Sequence, residues 1–273
     1  MMFRRFLMLT ILLGAAGLAW GYSEAVADPE IRHASVTLAD WPGGAPPVRT
    51  LLISDIHVAG PDMPPERLSR IVDSIAELDP DIVLIAGDLI SDREVATRRY
   101  SLPEAVAPLA RLRPRLGTFA VLGNHDHWRN AAEARRSLEA VRVTVLDNEA
   151  VQAGPLAVGG LDDAFTRHED LAATVAAMRQ MPGAKLLLSH SPDPFPDVPA
   201  DIALMLAGHT HCGQIRLPLI GALSTMSRYG ERYACGLVRE DGKILVVGAG
   251  LGTSLLPLRI GAPPDMWLIE LGP

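Results

Sequence analysis

Residues 120–130, AVLGNHDHWRN, place a short apolar run directly before a group of polar side chains. The apolar run is typical of a buried β-strand, yet it stops at Gly123. Four polar residues follow, and they are Asn124, His125, Asp126 and His127. Such groups are costly to bury unless a hydrogen-bond partner or a metal ion satisfies them. The stretch therefore predicts a strand that delivers polar side chains to a functional site.

The same pattern recurs at four other apolar, strand-like runs, which end in polar residues that can bind a metal. These are Asp55 with His57, Asp88, His190, and His209 with His211. Asp88, Asn124 and His209 each follow a glycine directly. In open α/β sheets, ligands gather at the carboxyl ends of the strands. The sequence therefore predicts that these side chains converge in one cluster at the carboxyl ends of the strands.

Amphipathic helical stretches alternate with these strands. Residues 64–80, PPERLSRIVDSIAELDP, carry an apolar residue every three or four positions and are bounded by prolines, as expected of a helix packed on a core. Residues 169–183 form a second such stretch, and Ala131–Ala140 a third. Strands that alternate with helices predict a layered α/β fold and not an all-β sandwich.

Composition narrows the class of protein. The 273 residues are 48% hydrophobic and 21% charged, which suits one large globular domain with a sizeable core. The formal net charge of −7 argues against a general nucleic-acid binder, because such proteins need a basic face for the phosphate backbone. The two cysteines, Cys212 and Cys235, are too few for a disulfide framework or a cysteine-rich zinc module.

The N-terminus has a different character from the rest of the chain. Arg4 and Arg5 precede an apolar run from Phe6 to Tyr22, and an acidic stretch comes after it. The run could be a signal peptide cleaved after Ala27 or an uncleaved membrane anchor, and we favour the anchor. Because the arginines come first, the positive-inside rule places the domain beyond the run outside the cytoplasm.

Three segments are expected from this organisation. Residues 1–27 form the anchor or signal segment. Residues 28–47, rich in proline and glycine, form a linker that could contain an edge strand from Ile31 to Leu38. Residues 48–273 form the folded domain.

The predicted cluster holds two carboxylates, four imidazoles and one carboxamide, more groups than a single ion needs. Its members are Asp55, His57, Asp88, Asn124, His190, His209 and His211. Mixed nitrogen and oxygen donors without thiolates favour Mn, Zn, Fe or Ni over Ca or Mg. Two ions bridged by a carboxylate and a hydroxide would suit in-line displacement at phosphorus. A purely structural role would require seven polar strand ends, each satisfied separately by hydrogen bonds.

Five short motifs carry a resemblance to a known family. DIH at 55–57, GDLISD at 87–92, GNHD at 123–126, SH at 189–190 and GHTH at 208–211 stand in the order found in the calcineurin-like metallophosphoesterases. The N-terminal apolar segment and the C-terminal LGTSLLPLRIGAPPDMWLIEL are similar to the membrane-anchored bacterial phosphodiesterase branch of that superfamily. The resemblance implies a four-layer αββα fold, with a central β-sandwich of two mixed sheets flanked by helices.

The resemblance also implies a role for each motif residue. Asp55, His57 and His211 would hold one divalent ion, Asn124, His190 and His209 would hold a second, and Asp88 would bridge them. His125 would face the substrate phosphate as a catalytic group, with Asp126 orienting its imidazole. Asp92 falls where the family often has an acid that fixes a ligand.

Other polar residues near the motifs allow a functional or a structural reading. His127 and Trp128 could line the mouth of the pocket, or they could be a surface histidine and a packing tryptophan. Asp162-Asp163 could contact the site, but a turn after the preceding glycines is expected. Cys212 stands where a second glycine often follows GHTH. It could be a metal ligand, an oxidation-sensitive thiol, a small residue in a tight turn, or a partner of Cys235 if the domain is exported. His33 and His168 are expected to be either hydrogen-bonded structural residues or surface residues.

The leading interpretation is a dinuclear, metal-dependent phosphoesterase of the bacterial inner membrane. It would cleave phosphodiester or pyrophosphate bonds of a membrane-associated substrate, which could be lipid-linked. Relatives of this branch include UDP-2,3-diacylglucosamine pyrophosphatases of lipid A synthesis, but that substrate requires a cytoplasmic site, in conflict with the predicted orientation. A catalytically weak metal-binding scaffold is the alternative from another class of protein.

Overall fold

The computed structural model of the chain describes residues 2–93 and 95–273. Its helices are α1 Met2–Ala25, α2 Pro65–Leu78, α3 Leu102–Val106, α4 Asn124–Ala140 and α5 Leu171–Arg179. Its strands are β1 Glu30–Thr37, β2 Val48–Ile53, β3 Ile82–Ala86, β4 Thr118–Val121, β5 Thr144–Val145, β6 Glu149–Ala153, β7 Leu156–Leu161, β8 Ala184–Ser189, β9 Leu204–Ala207, β10 Arg216–Leu217, β11 Gly221–Ala222, β12 Gly236–Glu240, β13 Lys243–Val247 and β14 Asp265–Gly272.

The strands form two six-stranded mixed sheets and one small hairpin. The first sheet has the order β1-β14-β2-β3-β4-β5, and the second has the order β12-β13-β9-β8-β7-β6. Strands β2 to β5 run parallel, as do β7, β8, β9 and β13. The antiparallel pairs are β14 with β2, β12 with β13, and β6 with β7. Strands β10 and β11 form the separate hairpin.

The two sheets pack face to face over a continuous apolar core. Leu84 and Val121 of the first sheet meet Leu186 and Leu206 of the second in this interior. Helices α2, α3 and α4 cover the outer face of the first sheet, and α5 covers the outer face of the second. The layers therefore run helix, sheet, sheet, helix, which confirms the fold class predicted from the motifs.

Helix boundaries follow local sequence signals in two cases and depart from the prediction in one. α2 begins at Pro65 and ends before Asp79, which adopts a left-handed conformation ahead of Pro80. Asp170 caps α5 by accepting from the Ala173 amide at 2.9 Å. The third helix begins at Asn124, seven residues earlier than expected, and a backbone break at Asn130 separates its first turns from the remainder.

The N-terminal segment projects from this sandwich. Within the described residues α1 is the one helix long and apolar enough to cross a membrane, a property that signal sequences share. Most of it is exposed, and only its end near Gly21 and Ala25 is buried against the domain. The segment 28–47, expected to be a linker that could hold an edge strand, contributes β1, which pairs with β14 at the edge of the first sheet.

Candidate metal centre and active site

Five parallel strands from both sheets end beside one another and bring the predicted ligands together. Beyond β2 lie Asp55 and His57, and beyond β3 lies Asp88. α4 begins three residues after the end of β4, so Asn124 lies in the first turn of a helix instead of ending a strand. His190 follows β8, and the segment after β9 carries His209 and His211. All seven side chains are buried at the junction of the two sheets.

One group of ligands consists of Asp55, His57 and His211. The Nε2 atoms of His57 and His211 lie 3.1 Å apart, and Nε2 of His211 lies 3.6 Å from Oδ1 of Asp55. The Asp55 carboxylate also accepts from the His209 amide at 2.9 Å. That bond holds the two ligand-bearing loops together across the junction of the sheets.

A second group consists of Asn124, His190 and His209. Nε2 of His190 lies 3.1 Å from Oδ1 of Asn124 and 3.1 Å from Nδ1 of His209. Asp88 lies between the two groups, because its Oδ2 is 3.4 Å from Nε2 of His57 and 3.3 Å from Nε2 of His190. The other oxygen of Asp88 accepts from the His125 amide at 2.9 Å. One carboxylate oxygen is thus placed to be shared by two ions.

The spacing and tautomers of this cluster fit metal binding. Donor atoms about 2.1 Å from an ion lie roughly 3.0–3.4 Å apart at octahedral to tetrahedral angles, close to the distances found here. His190 donates from Nδ1 to the Ala86 carbonyl at 2.7 Å, which turns its Nε2 toward the cluster. His209 donates from Nε2 to the Met226 carbonyl at 3.3 Å and leaves Nδ1 facing inward. Outer hydrogen bonds of this kind fix the ligating nitrogen.

The electrostatics of the cluster also favour the binding of cations. Burial lowers the pKa of His57 and His211 well below the ordinary value and that of His209 to about 4, so these imidazoles are held in the neutral, metal-binding form. Burial raises the pKa of Asp55 to about 6. Burial opposes ionisation of Asp88 too, but the positive charge of His190 outweighs it and holds the pKa of Asp88 well below the ordinary value. Burial also acts to lower the pKa of His190, but the Asp88 carboxylate outweighs it and raises that pKa well above the ordinary value, so a metal ion at this ligand would have to displace a proton.

The loops that carry the ligands are bent into an uncommon backbone conformation. Five of the candidate ligands have left-handed φ angles: Asp55 47°, His57 48°, Asp88 55°, His209 71° and His211 51°. Each such residue costs on the order of 1–3 kcal/mol and persists only where its surroundings impose it. Close packing requires glycine beside them, since a Cβ at Gly123 would overlap the Asp88 carboxylate. Backbone strain concentrated in this way is typical of functional sites.

His125 lies at the rim of the cluster, and the structure corrects the partner expected for it. Nδ1 of His125 lies 2.5 Å from Oδ1 of Asp92. The buried carboxylate of Asp126 instead accepts from the amides of Gly123, Asp88 and Leu89 at 2.9–3.0 Å. Asp126 faces the backbone because it caps the start of α4. In this structure Asp92 orients the imidazole, and Asp126 holds the loop that carries Asp88.

Comparison with known proteins identifies the family. Residues 48–213 match the family model described as calcineurin-like phosphoesterase. The chain belongs to the calcineurin-like phosphoesterase family. Because dinuclear metal centres are typical of that family and both ligand groups are present here, the chain is a metal-dependent phosphoesterase.

Relatives of this phosphoesterase cover nearly its full length. It is 32% identical over 286 residues to phosphodiesterase YaeI of Escherichia coli, covering 98% of each chain. It is 30% identical to metallophosphoesterase YkuE of Bacillus subtilis, covering 94% of this chain and 91% of that one. A transmembrane protein with a metallophosphoesterase domain from Danio rerio is 29% identical, and the match spans 97% of this chain but 62% of the fish protein.

The cavity of the phosphoesterase opens directly onto the ligand cluster. It measures about 260 Å³ and is lined at one end by Asp88, Asn124 and His125. The Trp128 ring lies 4.9 Å from that of His125, centroid to centroid, and lines the cavity. Phe165, which has no distinctive motif around it in the sequence, packs 4.7 Å from the His209 ring.

His127 belongs to a separate polar group. Its Nε2 lies 2.8 Å from Oδ1 of Asp162, and its ring stacks on His168 at 4.1 Å. Asp163 accepts from the amide and hydroxyl of Thr166, so Asp162-Asp163 does not itself form the expected turn but lies just before a turn at residues 164–167 and fastens it. His127 therefore braces this turn, whereas Trp128 lines the cavity.

Buried arginines behind the cluster are residues that the sequence did not reveal. Arg259 donates to the carbonyls of Ala249, Gly252 and Ala262, and thereby holds the loop that packs behind His211. Arg93 pairs with Asp62 and donates to Thr253. Arg93 directly follows the GDLISD motif, but nothing in its sequence neighbourhood shows that its partners lie far along the chain.

The two cysteines are joined to each other. Cys212 and Cys235 form a disulfide with a Cα–Cα distance of 4.6 Å. Because the sulfur of Cys212 is bonded, it is neither a metal ligand nor a free thiol. The pairing fastens the loop carrying His211 to the segment that precedes β12.

Proposed function

We propose that this protein hydrolyses phosphodiester or pyrophosphate bonds of a membrane-associated substrate, using two divalent ions. The observation that carries the proposal is the placement of Asp88 between two ligand groups, with His125 at the rim where a phosphoester would lie. A single-ion site would need neither the second group nor a shared carboxylate.

The chain would hold the ions with side chains from both sheets. Asp55, His57 and His211 would hold one ion, Asn124, His190 and His209 would hold the other, and Asp88 would serve both. The absence of thiolates among these donors suits Mn, Zn, Fe or Ni. When bound, the ions neutralise charge on the phosphoryl group and lower the pKa of a water toward neutrality.

His125 would act on the leaving group. As the bond between phosphorus and the leaving oxygen breaks, the imidazole would donate its proton from Nε2 to that oxygen. Asp92, against Nδ1, would keep the ring in the required orientation. Asp126 would contribute indirectly, by fixing the loop that carries Asp88.

The location we propose is the outer face of the bacterial inner membrane. Residues 1–27 would be the anchor, 28–47 a connecting segment and 48–273 the catalytic domain. Arg4 and Arg5 lie in the first turn of α1, ahead of its apolar run, which favours export of the catalytic domain, and the Cys212–Cys235 disulfide suits an oxidising compartment. Both features disfavour UDP-2,3-diacylglucosamine as substrate. The location can be tested by fusing alkaline phosphatase, which is active only outside the cytoplasm, to the C-terminus of the protein. If the catalytic domain is exported, cells that express the fusion should show alkaline phosphatase activity.

The activity is tested with bis-p-nitrophenyl phosphate and Mn²⁺. Wild-type protein should turn the diester over, and His125→Ala should lower kcat by about 10²–10⁴-fold. His33→Ala, a change to an exposed histidine on β1, is the matched control and should retain full activity. Fully metallated wild type without turnover would exclude the enzyme and favour a metal-binding scaffold.

A further inference from the structure

One wall of the active-site cavity is apolar. Besides the metal ligands, the cavity is lined by apolar side chains from the hairpin region and from the loop before Arg259, namely Ile215, Leu223, Met226, Leu255 and Leu256. Leu223 is 60% exposed and Leu255 is 75% exposed. A compact, fully charged phosphoester offers these side chains nothing to bind.

The apolar surface continues beyond the cavity onto the β10–β11 hairpin. Leu219 and Ile220 lie at the turn of this hairpin, and their side chains are exposed to solvent and not packed in the core. Soluble monomers rarely expose contiguous apolar patches of this kind unless a partner, a ligand or a membrane covers them. The Gln214 side chain, just before the hairpin, links it to the loop before Arg259. It donates to the Leu256 and Leu258 carbonyls at 3.0 and 3.1 Å and accepts from the Ser254 amide.

This wall is continuous with the site where α1 meets the domain. The Arg259 amide donates to the Gly21 carbonyl at 2.9 Å, and a Cβ at Gly21 would lie 3.5 Å from the side chains of Leu258 and Ile260. The loop of Leu255 and Leu256 therefore lies only a few residues from the contact with α1. If α1 crosses a membrane, the apolar mouth of the cavity lies on the membrane side of the domain.

We propose that the apolar wall binds the hydrocarbon chain of an amphiphilic phosphodiester that enters from the bilayer, while its phosphate lies at the metal ligands. The proposal rests on the phosphoesterase function proposed above and specifies its substrate class. Leu223, Leu255 and Leu256 determine specificity in this scheme and take no part in bond cleavage. The hairpin turn at Leu219 and Ile220 lies against the acyl region of the membrane.

The test compares two substrates that differ only in their chain. The full-length protein, metallated with Mn²⁺ in phosphatidylcholine nanodiscs, is assayed with p-nitrophenyl methyl phosphate and p-nitrophenyl octyl phosphate. Each methylene buried fully on binding raises kcat/KM by up to about fourfold. We expect the octyl-to-methyl ratio of kcat/KM to exceed roughly tenfold in the wild type, since only part of the chain is buried.

Variants of the cavity distinguish binding of the octyl chain in the cavity from partition of the octyl substrate into the bilayer. Partition should be the same for every variant. Leu223→Ser combined with Leu256→Ser should lower the octyl-to-methyl ratio by about tenfold. Ile31→Ser, at a comparably exposed position outside the cavity, should leave the ratio at the wild-type value. Equal ratios in all three proteins, with the methyl ester turned over, would overturn the chain-binding site alone. Failure to cleave even the methyl ester would overturn the proposed function and this inference with it.

Discussion

Asp92 and Asp126 both neighbour His125, and their hydrogen bonds give them different roles. Asp92 lies 2.5 Å from the imidazole, and its side chain is 41% exposed. Asp126 is fully buried and binds only backbone amides. A change at Asp92 should therefore act through catalysis, whereas a change at Asp126 should act through the fold of the loop.

Asp92→Asn should lower kcat by about 10- to 100-fold, because an imidazole loses the carboxylate that fixes its orientation. The measurement is diester hydrolysis at saturating Mn²⁺, with bound metal determined in parallel and expected to be unchanged. Asp73→Asn, at an exposed carboxylate far from the cavity, is the control. In the His125→Ala background the same change should have almost no further effect, since residues that act as a unit are not additive. Additive losses would show that Asp92 acts independently of His125.

Asp126→Ala should destabilise the protein by about 3 kcal/mol or more, because three buried amides lose their acceptor. The measurement is thermal unfolding of the purified protein, which should show a lower melting temperature, and the metal content should fall as the Asp88 loop loosens. Asp163→Ala, which also removes a buried carboxylate that accepts backbone amides, is a matched control for stability alone. If the Asp126→Ala variant were as stable as the wild type but had a much lower kcat, a direct catalytic role for Asp126 would be supported instead.

The sequence predicted the candidate ligands better than their partners. The clustering of the seven candidate ligands could be predicted because each follows an apolar strand, and ligands gather at the carboxyl ends of such strands; that pattern alone could not show that the strands belong to two sheets. The choice between Asp92 and Asp126 depends on how the loop after Asp88 folds over the start of α4. No periodic pattern in the sequence indicates which hydrogen-bond partner a side chain will choose. The partners of Arg93 and Arg259 could not be predicted for the same reason.

At the scale of elements, the loop between β9 and β10 is fastened twice. The Asp55 carboxylate holds it from one side, and the disulfide at Cys212 holds it from the other. His211 lies between these two attachments. Both constraints limit the conformations that the loop can adopt before a metal binds.

Cys212→Ser combined with Cys235→Ser should lower stability by about 3 kcal/mol, because the disulfide closes a loop across a sequence separation of 23 residues. It should also raise the Mn²⁺ concentration needed for half-maximal activity, since His211 is less well fixed. Thermal unfolding and a metal titration measure the two effects. Dithiothreitol should reproduce both in the wild type and change neither in the double variant. A metal requirement equal to that of the wild type would show that the disulfide stabilises the domain without positioning His211.

The fold could be predicted at the level of element type but not at every boundary. The apolar stripe of α2 and the alternation of strands with helices indicated the layers, because burial dictates both patterns. The start of α4 could not be predicted, since Asn124, His125 and Asp126 are polar and carry no helical stripe. Their helical conformation depends on a buried carboxylate that caps the turn, a tertiary feature.

For the whole molecule, the site joins the two halves of the sandwich. Asp55, His57 and Asn124 come from the first sheet, and His190, His209 and His211 come from the second. Each proposed ion would therefore be held by both sheets at once. Metal binding should consequently stabilise the packing of one sheet on the other, in addition to serving catalysis.

Removal of the metals should therefore lower the melting temperature of the whole domain. For an ion present at a thousand times its Kd, linkage predicts about 4 kcal/mol of stabilisation, or roughly 10 °C for a domain of this size. The measurement is thermal unfolding before and after chelation, with metal analysis of the untreated protein expected to give two ions per chain. Asp88→Ala should abolish most of the shift because it removes the shared carboxylate, whereas His33→Ala should preserve it. A melting temperature unaffected by chelation, in protein shown to have lost its metals, would mean that the sheets are held together without them.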